Sequence, residues 1–105
     1  MAFSIEVEQL ADTLILRPVG DLDLGNRHAL FGRLANTIND DTVNTVVVDL
    51  ATVPFADATG LCELLECRKL ALAVGATFQL AHISARVRRV IDLAGLGDAF
   101  GMEDS

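Results

Sequence analysis

Val46-Val47-Val48-Asp49-Leu50-Ala51-Thr52-Val53-Pro54-Phe55-Ala56-Asp57-Ala58-Thr59-Gly60-Leu61 reads as a strand, a connection and the opening turn of a helix. The β-branched run Val46 to Val48 favours a buried strand, and Pro54 limits how far it continues. Asp57 and Thr59 are both residue types that cap a helix starting there. The first N–H groups of such a helix, around Ala58, Thr59 and Gly60, have no carbonyl partner one turn back. Together with the helix dipole they attract an anion. This loop is the candidate site; a capped turn without chemistry accounts for the same residues.

The chain of 105 residues, 51% of them apolar, is the size of one domain (1–105) and can build a core without staples. Its formal charge of -7 disfavours unassisted attraction to nucleic acid or an anionic bilayer and leaves protein partners open. Arg86, Arg88 and Arg89 cluster near the end, as a solvated helix face or, less commonly, a docking patch. No apolar run nears the roughly 20 residues that span a bilayer, and Met-Ala-Phe-Ser-Ile-Glu has neither a basic start nor a secretory apolar block. A cytoplasmic protein without membrane insertion is expected. Cys62 and Cys67 have no His cluster at ligand spacing, since His28 and His82 are distant in sequence, so no zinc site or other metal is expected. On one helix the two cysteines stand roughly 140° apart around the axis, poor geometry for a disulfide, and reduced thiols are expected.

Outward from the central stretch the order is strand, strand, helix, strand, helix, strand, helix. Phe3, Ile5 and Val7 alternate with polar residues, and Thr13 to Val19 supplies the second arm of an antiparallel hairpin, with Pro18 near an edge or strand end. Gly20-Asp21-Leu22-Asp23-Leu24-Gly25 closes it; its two carboxylates suit a pair of ligands or, more ordinarily, turn and cap hydrogen bonds. Asn26 is placed to cap a helix with Leu30, Phe31, Leu34 and Ile38 inward, ending at Asn39-Asp40-Asp41. The next helix buries Leu64, Cys67, Ala71 and Val74, flanked by Leu61, Leu65 and Leu72. Cys62 shares an exposed face with Glu66 and Lys69. Gly75 ends it, Ala76 to Ala81 is a strand, and Ser84 caps a helix with Val87, Val90, Ile91 and Ala94 inward and Gly95 at its stop. A polar tail, 101–105, follows. This order implies an α/β fold with a mixed sheet of four strands, or slightly more, its later strands joined by right-handed crossovers and helices on one or both faces.

Taken together, Gly20-Asp21-Leu22-Asp23, Val46-Val47-Val48-Asp49-Leu50, Asp57-Ala58-Thr59-Gly60-Leu61 and Val87-Arg88-Arg89-Val90-Ile91-Asp92-Leu93-Ala94-Gly95-Leu96 resemble a STAS domain over nearly the whole chain. More narrowly they resemble the stand-alone bacterial anti-sigma factor antagonists. The resemblance implies a non-enzymatic switch without a cofactor. The antagonist binds an anti-sigma factor with a GHKL-type serine kinase domain, releasing a sigma factor; the kinase phosphorylates the residue after the loop Asp and a PP2C-type phosphatase resets it. Here that position is Ala58, which has no hydroxyl. Three readings follow: Thr59 is the substitute acceptor, the protein is permanently unphosphorylated, or regulation has moved elsewhere. The second is favoured, because one residue along a helix start turns a side chain by about 100°. Cys62 is a second departure, standing where the family often has Gly. Asp21 and Asp23 match the acidic loop beside the phosphorylation loop. The resemblance therefore makes Asp21, Asp23, Asp57, Ala58, Thr59, Gly60 and Cys62 the partner-binding surface.

Other functions are the STAS subunit of an ABC-type lipid transport system, which would bind the transporter ATPase, and a nucleotide- or redox-sensing interaction module. A nucleotide would be held by the Ala58 to Gly60 amides without the Lys of a P-loop. An enzyme is disfavoured, since no base accompanies Cys62 in a recognisable pattern.

Overall fold

The computed structural model describes residues 3–38 and 42–102. Alternation of apolar and polar residues builds β1 (Ser4–Leu10) and β2 (Thr13–Val19); the Val-rich run builds β3 (Thr45–Asp49) and the later short run β4 (Thr77–Ala81). The helices are α1 (Ala29–Thr37), α2 (Ala58–Ala73) and α3 (Ala85–Leu93). The expected element order and the mixed α/β sheet are what the chain adopts. The strands lie side by side in chain order, β1 antiparallel to β2 and the other pairs parallel. Both crossovers therefore step the same way across the sheet, and right-handed connections put α1 and α2 on one face.

Burial follows that layering. Leu14, Leu16, Val46 and Val48 are sealed under the helices, where they meet Leu30, Leu34, Leu61, Leu64, Cys67, Val87 and Ile91. Their neighbours Thr13, Ile15, Thr45 and Val47, pointing to the other face, are only half-buried. A thickness of 19 Å against 36 and 33 Å matches two layers, one sheet and one helical. Pro18 sits beyond Leu16↔Val48, the last β2–β3 pair, so its missing N–H costs no ladder bond there.

Several expectations change. Asn26 does not cap α1: it ends a 3-10 turn, Leu24–Asn26, and donates from Nδ2 to the Asp21 carbonyl at 2.8 Å. α1 starts later, at Ala29, behind His28 in the left-handed region (φ 73°) with no side-chain cap. Leu72 is 47% exposed and Ala94 is exposed, because the real packing stripes of α2 and α3 are narrower than the periodicity suggests. Just before the expected tail, Asp98–Phe100 forms a 3-10 turn, not anticipated from the sequence, that buries Phe100. The stop at Asn39-Asp40-Asp41 and the tail beyond Met102 lie outside the described residues. Ser84 and Gly75 act as expected: Ser84 Oγ accepts from the Val87 N–H at 3.1 Å, and Gly75 adopts φ 84° as α2 ends.

The open face carries a charge chain. Asp49 Oδ1 accepts from the Ala51 N–H at 2.9 Å and lies 3.0 Å from His82 Nδ1; its Oδ2 is 3.5 Å from Arg17 Nε, and Arg17 reaches Glu8 at 2.8 Å. Burial pushes the Asp49 carboxyl up, but the Ala51 N–H, the His82 hydrogen bond and the positive charges of His82 and Arg17 outweigh it, leaving Asp49 below the usual carboxylate range. A depressed carboxylate contributes stability above its unfolded pKa and loses it as pH falls through the folded value. With His82 largely exposed, that contribution is under about 1 kcal/mol. Urea midpoints measured from pH 6 down to pH 2 should therefore fall less steeply for Asp49→Asn than for the wild type.

Candidate functional site

The site is built where the C-terminal ends of β2 and β3 feed their helices. Leu22 pairs with Ala56 in a parallel bridge. The Leu22 N–H donates to the Phe55 carbonyl at 3.0 Å, and the Asp57 N–H donates to the Leu22 carbonyl at 3.1 Å. The Gly20–Gly25 loop and the loop entering α2 are thus stitched along their backbones. Asp57 is extended, and its Oδ1 accepts from the Gly60 N–H at 2.9 Å, capping α2 as its residue type predicts. Thr59 is instead inside the first turn. Gly60 is buried because the helix start presses on the stitched loop: a Cβ there would lie 2.1 Å from the Leu22 carbonyl oxygen.

Ala58 is exposed at the first helical position, Thr59 and Asp57 are half-buried, and Cys62 is exposed one turn on. Asp23 is occupied locally, its Oδ1 accepting from the Asn26 N–H at 3.2 Å, while Asp21 contributes its carbonyl to Asn26. The two carboxylates thus have different surroundings, and among the described residues no group of His, Cys, Asp or Glu is arranged to hold a metal ion. Directly after Asp23, Leu24 is 63% exposed, an apolar tip beside the acidic residues, whereas Leu22 between them is buried. Arg86, from the start of α3, stacks 5.1 Å over the Phe55 ring, tying the third helix to the same edge.

Thr59 and Cys62 line a cavity of about 340 Å³ with Glu63 and Glu66 on the α2 side and Arg27, His28 and Phe31 opposite. Ala58 is not among its walls, so the two successive positions look onto different surroundings. Glu63 was not anticipated: it is 6% exposed, and its Oε2 accepts from the Phe31 N–H of α1 at 3.0 Å. The available signal is its spacing, four residues before buried Cys67, which sets it beside the core stripe.

The two thiols differ sharply. Burial first, then the negative charges of Glu63 and Glu66, push Cys67 up to about 12. At pH 8 one thiol, Cys62, is expected to react promptly with a chromogenic disulfide and the second only after unfolding. Cys62→Ser should abolish the fast phase; a fast phase that survives would contradict this assignment.

The family model for the STAS domain matches residues 4–105. The chain belongs to the STAS domain family. An anti-sigma F factor antagonist from Paenibacillus polymyxa is 27% identical over 96 residues, covering 91% of this chain and 82% of that protein. The solved structure of the anti-sigma factor antagonist SpoIIAA in its unphosphorylated form superposes with a TM-score of 0.74 at 26% identity, covering 99% of this chain and 88% of that one. The murine anion transporter Slc26a9 contains the same fold (TM-score 0.75, 23% identity), but this STAS domain, 90% of it aligned, spans only 16% of that chain. No helix among the described residues is long and apolar enough to cross a membrane.

Proposed function

We propose that this STAS domain is an anti-sigma factor antagonist that binds its partner without turnover and carries no phosphoacceptor at the usual place. The observation that carries the proposal is exposed Ala58 at the first position of α2, held there by the Asp57 cap and by Gly60 pressed against Leu22. In the two antagonist-like relatives the match runs over most of both chains, so the likeness is to a stand-alone module and not only to a segment.

The physical logic is one of charge. A phosphate on this turn adds nearly two negative charges to a surface packed against a partner, and the accompanying desolvation weakens the complex. A methyl group adds none. Thr59, the neighbouring hydroxyl, is half-buried and lines the cavity instead of the exposed tip, which disfavours it as a substitute acceptor. The antagonist is then constitutive with respect to a GHKL-type serine kinase, and a PP2C-type phosphatase has no phosphate to remove from position 58. The binding edge combines Asp21, Asp23 and exposed Leu24 with Asp57, Ala58, Thr59 and Cys62, while Gly60, expected among the contacts, is buried behind them and sets the turn.

Affinity capture of the tagged protein from its native host, with bound proteins identified by mass spectrometry, tests the reading. A kinase-type anti-sigma factor is expected with the wild type and should be lost with Cys62→Arg, which puts a long charged chain on the exposed face. Recovery of a transporter ATPase, or of nothing that the control removes, would contradict it.

A further inference from the structure

Glu63 is the buried charged side chain of the described core, and its carboxylate serves a different helix from its own. α1 needs it. His28 stands at the α1 N-terminus in the left-handed region and provides no side-chain cap, and no acidic residue lies in the first turn of α1. The Phe31 N–H, one of the donors without an intrahelical partner, is met by Glu63 Oε2 at 3.0 Å from 32 residues away. A carboxylate at that end also complements the helix dipole. Glu63 simultaneously lines the cavity that separates Thr59, Cys62 and Glu66 from Arg27, His28 and Phe31.

We infer that Glu63 is a positioning residue for the binding edge. Its hydrogen bond to Phe31 fixes the start of α1, and with it the Arg27–His28 wall, against the Thr59–Cys62 face of α2. The inference rests on the partner-binding reading above and deepens it by naming what sets the edge's shape. Packing of Leu30, Leu34, Leu61 and Leu64 holds the helices together independently, so the fold does not depend on the carboxylate alone. Geometry at the cavity does, because nothing else among the described hydrogen bonds joins a side chain of one wall to the other.

The test uses the full chain with Glu63→Leu, which keeps bulk and removes the acceptor, and Glu63→Gln, which keeps an acceptor oxygen. Amide hydrogen exchange read by NMR should show the Phe31 N–H exchanging about tenfold faster or more in Glu63→Leu. Chemical-shift changes should reach Arg27, His28, Thr59 and Cys62, with Val46 and Val48 still protected and Glu63→Gln restoring most of the Phe31 protection. Equal Phe31 protection in Glu63→Leu overturns the inference, as does faster exchange spread evenly through the sheet, which is mere loss of stability. With a captured anti-sigma partner, Glu63→Leu should bind about tenfold more weakly and Glu63→Gln near the wild-type level; unchanged affinity for Glu63→Leu also overturns it. If the wild type captures no such partner, the functional reading fails, and the exchange measurement alone decides the role of Glu63.

Discussion

Gly60→Ala should lower the thermal unfolding midpoint by roughly 15 °C, the largest stability effect expected for a single methyl group in this protein, at a cost of about 3 kcal/mol. The added Cβ would stand 2.1 Å from the Leu22 carbonyl oxygen and 2.7 Å from its carbonyl carbon. Neither atom can yield easily. That carbonyl accepts from the Asp57 N–H, and the Leu22 N–H is held by Phe55, so moving Leu22 breaks the stitch between the two loops. Moving α2 instead pulls the Gly60 N–H away from Asp57 Oδ1. A control fixes the sign: a methyl group at Gly32, inside α1, would meet nothing within 4 Å, so Gly32→Ala should raise the midpoint through helix propensity. Thermal denaturation followed by circular dichroism separates the two. A wild-type midpoint for Gly60→Ala would mean that the helix start does not press on the loop.

The second large effect is functional. Ala58→Asp should leave stability unchanged or slightly higher, since a carboxylate at the first turn of α2 favours the helix dipole, yet it should weaken partner binding by about tenfold or more. Opposite signs for stability and binding are the useful feature, because unfolding cannot then explain lost binding. Ala58→Ser should keep the affinity of the wild type and acquire phosphate from the kinase, then dissociate. Titration calorimetry with the captured partner checks the first variant and a kinase assay the second. An Ala58→Asp protein that binds as tightly as the wild type would remove Ala58 from the interface.

The fold could be read wherever one local rule decided an element. Alternation at Phe3, Ile5 and Val7, the run Val46 to Val48, Asp57 and Ser84 as caps, and Gly75 and Gly95 as stops each act over a few residues. What escaped depends on partners distant in sequence. Asn26 has the right chemistry for a cap, but the Asp21 carbonyl and Asp23 engage it in a turn, so α1 begins two residues later than an Asn26 cap would start it. Glu63 looks like a surface residue until the Phe31 N–H, a backbone group with no trace in side-chain patterning, is brought beside it. The same is true of the site. Ala58 and the Asp57 cap were legible, whereas the cavity on which Thr59 and Cys62 border needs the Arg27–Phe31 segment folded against α2. Asp21 and Asp23 looked equivalent in sequence and are not, because Asp23 alone caps the Leu24–Asn26 turn.

In the proposed function, this STAS domain engages a kinase-type anti-sigma factor through a turn that cannot be phosphorylated at Ala58. The most direct measurement is intact-protein mass spectrometry of the wild type incubated with its captured partner, Mg²⁺ and ATP, combined with native separation of the complex. An unmodified mass in a complex that persists throughout is the predicted result. A stoichiometric phosphate mapping to Thr59, with the complex dissociating as it accumulates, would contradict it and make Thr59 the switch.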